Sequence, residues 1–155
     1  MLLVLVENGL EALMARWTLT ISSLYMAVIG LALMFLPLKF GVGAVPADAS
    51  PELLALLRLL GGPFLGIAAL NGLSRRAPAG DWLRAVLVAN AIGFGAVALN
   101  DVHGVATGEA RELAKVFLVV HLAFALAFLT ALLRIRREGL PPPKPRVPSA
   151  GPARG

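Results

Sequence analysis

The sequence predicts an all-α integral membrane protein built as a four-helix bundle, and three observations predict it. The 155 residues are 58% hydrophobic and only 15% charged, well outside the balance of ordinary soluble domains. The apolar residues gather into four runs of roughly 20, the length at which a helix crosses about 30 Å of hydrocarbon. None of these runs shows the period-two alternation of strands, and a chain this short supports one domain.

The N-terminal residues 1–16 carry Leu3, Val6, Leu10 and Leu13 at helical spacing, with Glu7 and Glu11 between them. They read as an amphipathic interfacial lead-in, or as the first turns of the first span. Without a basic n-region, the segment is a poor signal peptide and is expected to be retained. A four-span membrane domain follows over residues 17–137.

The first span runs from about 17 to 36, with Trp17 as interfacial anchor. Two prolines, Gly41, Gly43 and Asp48 make the next stretch a loop. Ser50, Pro51 and Glu52 then form a helix start: a hydroxyl N-cap, proline at the first position and an acid at the positive end of the dipole. The second span, about 52–73, is expected to kink at Gly61–Pro63, where proline removes a backbone donor. Arg75 and Arg76 end it, and a tight turn leads to Asp81 as the next N-cap. The third span runs from about 82 to 100. After a polar external stretch with Thr107 as cap, the fourth covers about 113–133. Residues 138–155 are a Pro-rich basic tail, expected to be disordered or extended; an orientation signal and an arm for anionic lipid are both open to it.

Charge sets the expected orientation. Arg16, Arg75, Arg76, Arg84, Arg134, Arg136, Arg137, Lys144, Arg146 and Arg154 fall on one side, leaving Lys39, Arg58, Arg111 and Lys115 on or toward the other. The positive-inside rule therefore predicts both termini in the cytoplasm. The same rule accounts for the net charge of +5, so the lipid bilayer and other membrane-protein subunits, not nucleic acid, are the expected partners. Absence of cysteine removes disulfides, thiolate-held zinc and iron–sulfur clusters. No cofactor is evident.

An unpaired charge in hydrocarbon costs at least about 2.5 kcal/mol, which makes intramembrane polar residues the functional candidates. Arg58 lies roughly 10 Å inside the outer end of the second span, and His121 roughly 12 Å inside the outer end of the fourth, at 1.5 Å rise per residue. With Asn90 near the midplane of the third, they suggest an outward-opening pocket for a carbonyl-bearing or anionic small molecule. The alternative is that Arg58 snorkels or pairs with Asp48, Glu109 or Glu112, while His121 makes one interhelical bond. Asn71 is expected to serve helix packing, as are Gly62 and Gly66, which form GxxxG. Asp101 and His103, read as external, lack metal-ligand spacing. No Asp or Glu is expected deep in any span. No phosphate-cradling loop or nucleophile elbow is present.

The stretches LLRLLGGPFLGIAALNGLSRR, WLRAVLVANAIGFGAVAL and VFLVVHLAFALAFL resemble the DoxX-like families of small bacterial four-helix membrane proteins, over roughly the last three spans. The resemblance implies a compact bundle in the bacterial inner membrane. Some members associate with quinone-linked oxidoreductase complexes, and a wider superfamily includes sterol-handling isomerases. Shortage of buried ionisable residues makes a structural or accessory subunit the leading expectation, with binding or transport of a lipophilic or quinone-like ligand as the alternative.

Overall fold

The computed structural model describes the backbone of residues 2–41 and 43–138 and the side chains of 12–41 and 43–135. Five helices follow in order: α1 (Leu2–Phe35), α2 (Pro37–Phe40), α3 (Pro51–Ser74), α4 (Asp81–Thr107) and α5 (Glu112–Glu138). Four of them are long and apolar enough to cross a membrane. No strand occurs among the described residues.

Local chemistry explains most boundaries. Leu36 leaves the helical region at φ −134°, as a residue preceding proline tends to, and Pro37 then opens the single-turn α2. Ser50 caps α3, its Oγ accepting from the Leu53 N–H at 3.3 Å, with Pro51 in the first turn. α4 ends on Gly108, whose φ of +74° is the left-handed C-terminal conformation that glycine adopts at least cost.

Several boundaries differ from the sequence reading. α1 is continuous from Leu2 into the first span, one of the two readings of residues 1–16; the amphipathic face expected there rests largely on side chains through Glu11, which lie outside the described residues, as does the tail from 139 onward. Asp81 sits in the first turn of α4, and Gly80 occupies the cap position. α4 does not stop at Asn100 but runs two turns further, because nothing before Gly108 breaks it. Thr107 is therefore its last residue, with Oγ1 donating back to the His103 carbonyl at 3.1 Å, and caps no helix. The extension carries Asp101 out of the expected loop and into α4, so one carboxylate does lie within an apolar helix.

The long helices pack as two pairs, α1 against α3 and α4 against α5, joined mainly through α1 and α5. In the first pair Gly30 faces Gly61. A Cβ added at Gly61 would stand 2.6 Å from the Gly30 carbonyl oxygen and 2.3 Å from Met34 Cγ. Backbones this close require glycine. Ser23 strengthens the pair by donating to the Ala68 carbonyl at 2.7 Å. Gly62 and Gly66, by contrast, have nothing within 4 Å of an added Cβ and face away from the contact.

The shared core is made by Leu19 of α1, Leu83, Leu87 and Phe94 of α4, and Phe128 of α5. On the outward faces Leu59, Leu73 and Leu99 are 73%, 83% and 73% exposed. Leaving such a side chain in water forgoes about 1.5–3 kcal/mol, and comparable side chains line every long helix. This surface suits hydrocarbon as its solvent.

α3 and α4 follow one another through the short 75–80 turn yet touch little. What joins them is an amide pair: Asn71 Nδ2 donates to Asn90 Oδ1 at 2.8 Å, and Asn90 Nδ2 to Asn71 Oδ1 at 2.7 Å. Beyond this clasp, away from the turn, a space opens between the two helices.

Candidate functional site: a cleft between α3 and α4

That space is a cavity of about 460 Å³. Phe64, Ile67 and Leu70 of α3 form one wall, and Gly93 and Val97 of α4 the other. α1 closes the back with Tyr25, Met26 and Ile29, and Asn90 lies on the floor. Ile67, Gly93 and Val97 are also exposed on the outer surface. The cleft is thus open rather than sealed, and its walls are apolar.

Three of its polar residues converge at one place. His121 of α5 stands between Tyr25 and Asp101: Nε2 lies 2.8 Å from Tyr25 Oη, and Nδ1 lies 2.6 Å from Asp101 Oδ2. All three line the cavity. The side chains of His121 and Asp101 are only 13% and 14% exposed, so the carboxylate is held by imidazole rather than by water. An ionised Asp101 takes the Nδ1 hydrogen, since a bare nitrogen lone pair facing a carboxylate at 2.6 Å would be repelled. Nε2 then has no hydrogen and accepts from the Tyr25 O–H.

Aromatic packing fixes this row. Tyr25 meets His121 edge-on at 5.9 Å between centroids, while Phe117 stacks on the imidazole at 6.1 Å with 16° between planes. Phe94 stacks on Phe124 at 4.6 Å, next to Tyr25 and below His121. Edge-to-face and offset stacks of this kind hold rings in orientation as well as burying them.

Arg111, just before α5, lines the end of the cleft farthest from the 75–80 turn. Its Nη1 donates to the Phe40 carbonyl at 3.0 Å, and the guanidinium carbon lies 5.7 and 6.0 Å from the rings of Phe117 and Phe40. It pins α2 to the start of α5 while bringing positive charge to the cavity.

Of the residues singled out from sequence, Asn90 and His121 therefore share one cavity. Arg58 does not join them: it is exposed on α3 and absent from the lining. Depth along a helix was a sound guide, but azimuth was not. Asn90 has both amide hydrogens committed, to Asn71 and to the Val86 carbonyl at 2.9 Å, so toward a ligand it offers one lone pair at most. Asn71 also donates to Ser22 Oγ at 3.1 Å, which ties α1 to the clasp. Sequence reasoning missed Tyr25, Asp101 and Arg111. Tyr25 carried a usable signal, as the chain's one tyrosine and within a span.

His103 is exposed and takes no part in the row, and no group of three or more metal-ligating side chains is found among the described residues. What the row can do is present an oriented phenol oxygen to a lipophilic molecule and adjust its proton. No family model matches the chain, and no curated protein or solved structure matches it either.

Proposed function

We propose that this protein is a four-span protein of a bacterial inner membrane that binds a lipophilic small molecule in the cleft between α3 and α4, with an oxygen-bearing head group against Tyr25 and His121. The observation that carries the reading is the convergence of Tyr25, His121 and Asp101 on an open, largely apolar cavity. A purely structural subunit gains little from placing a carboxylate and an imidazole there, because each costs free energy to bring into hydrocarbon. That cost favours ligand binding over the structural or accessory role. The DoxX-like resemblance is compatible with it and belongs to the same proposal.

In this reading both termini face the cytoplasm, as the distribution of arginine and lysine favours. The cleft then lies in the outer half of the membrane. A bend at Gly61–Pro63 belongs to the proposal too: Pro63 cannot donate to the Leu59 carbonyl, and a bend there turns the first half of α3 away from α4. Lipophilic substances such as quinones suit the cavity's apolar walls and its polar row.

Native mass spectrometry of protein purified in mild detergent tests the reading. The wild type retains an oxygen-bearing lipophilic molecule that Gly93→Leu, which fills the cleft from open space, releases. Equal retention by both proteins would contradict it.

A further inference from the structure

The row Tyr25–His121–Asp101 has a property that no single member has. Consider the Asp101–His121 unit with one shared proton. The hydrogen lies between Nδ1 and the carboxylate, Nε2 is an acceptor, and the Tyr25 hydroxyl hydrogen is spent on it. Tyr25 Oη then shows the cleft only lone pairs. Now add one proton. Whether it leaves an imidazolium beside a carboxylate or a neutral imidazole beside a carboxylic acid, Nε2 carries a hydrogen and donates it to Tyr25 Oη. The phenol hydrogen is released and turns to the cleft. One proton inverts the hydrogen-bonding character of the site.

We propose that ligand recognition in this cleft is proton-coupled: the unit with fewer protons admits a hydroxyl-bearing ligand and turns away the corresponding carbonyl compound, and the unit with one more proton admits both. The proposal rests on the cleft-binding reading above. Carbonyl binding takes up one proton, and hydroxyl binding takes up none. Two compounds related by reduction of a carbonyl to an alcohol are thereby told apart by pH, without any difference in shape.

Ionisable groups face His121 from several elements. From α4 comes Asp101, from α1 comes Tyr25, whose hydroxyl reads the proton out, and from the segment before α5 comes Arg111. α2 and α3 add no ionisable group to the cavity among the described residues, since Lys39 and Arg58 are exposed and outside the lining. The rings of Phe94 and Phe117 also stand against the imidazole, with centroids 6.1 Å away in each case.

Benzophenone, benzhydrol and diphenylmethane are suitable probes. They share a skeleton, none titrates in the relevant range, and they carry a carbonyl, a hydroxyl and no oxygen respectively. Binding of each to the 155-residue chain in detergent is measured from about pH 5 to about pH 9. The ratio of benzophenone Kd to benzhydrol Kd rises with pH, approaching about tenfold per unit once the unit has lost the extra proton, as linkage of one proton requires. Diphenylmethane binding stays level and reports an intact cleft in every variant. His121→Gln flattens the ratio while diphenylmethane still binds. Tyr25→Phe removes the advantage of both oxygen compounds over diphenylmethane. A flat ratio in the wild type, with all three probes bound, overturns proton coupling and leaves the cleft as a binding site. Failure of all three to bind saturably overturns the cleft reading and this inference together.

Discussion

Asn71 and Asn90 each donate one amide hydrogen to the other's carbonyl oxygen, at 2.8 and 2.7 Å, and this clasp joins two helices that otherwise barely touch. Both side chains are buried. Replacing one leaves the other with a donor and an acceptor unpaired in an apolar setting, at about 1–3 kcal/mol. Replacing both removes the orphan. Asn71→Ala and Asn90→Ala should each lower unfolding stability in detergent by about 1–2 kcal/mol, and the double variant by clearly less than the sum. Additive losses would show that the two amides do not act as a pair.

Gly61 and Gly62 are neighbours in sequence and opposites in space. Successive helical residues are turned by about 100°, which aims Gly61 at Gly30 and Gly62 at the surface. Gly61→Ala should weaken the α1–α3 contact and lower the thermal midpoint, since the new methyl group meets a backbone carbonyl that cannot move aside cheaply. Gly62→Ala and Gly66→Ala should leave it unchanged or slightly higher, as alanine favours the helix. Thermal unfolding of the three variants side by side distinguishes the faces.

The same geometry explains how much was legible from the sequence. Hydropathy revealed four helices because a span needs roughly 20 apolar residues whatever its neighbours. Ser50–Pro51 marked the start of α3 because a cap is a local device. The end of α4 was hidden. Asn100 and Asp101 look like the edge of a loop until the carboxylate is seen against His121, 20 positions away on another helix. Arg58 lies outside the cavity lining, and Gly62 and Gly66 face away from α1, for a related reason: position along an axis follows from counting, but the facing side depends on which helices are neighbours. Asn71 is expected at a helix contact and Asn90 in a pocket; that the two bond to each other depends on facing sides that the sequence does not show.

Asp101 and His121 should be energetically inseparable. His121→Leu strands a largely buried carboxylate, and breaking such a pair from one side commonly costs about 3–5 kcal/mol; partial exposure and the option of protonation reduce this to about 2–3. Asp101→Asn keeps an acceptor for Nδ1 and should cost less. The double variant Asp101→Leu, His121→Leu should be more stable than His121→Leu alone. A double variant less stable than both singles, measured by denaturant or thermal unfolding, would mean that the two side chains support the fold independently.

Photolabelling tests the cleft most directly. Benzophenone inserts into nearby C–H bonds on irradiation, so peptide mass spectrometry of the irradiated protein reports where the probe sits. Labelling of the wild type should concentrate on cleft residues such as Met26, Ile67 and Val97, persist in Arg58→Leu, and fall sharply in Gly93→Leu. Labels scattered over the exposed leucines of all four helices, with the same pattern in Gly93→Leu, would contradict a binding site between α3 and α4.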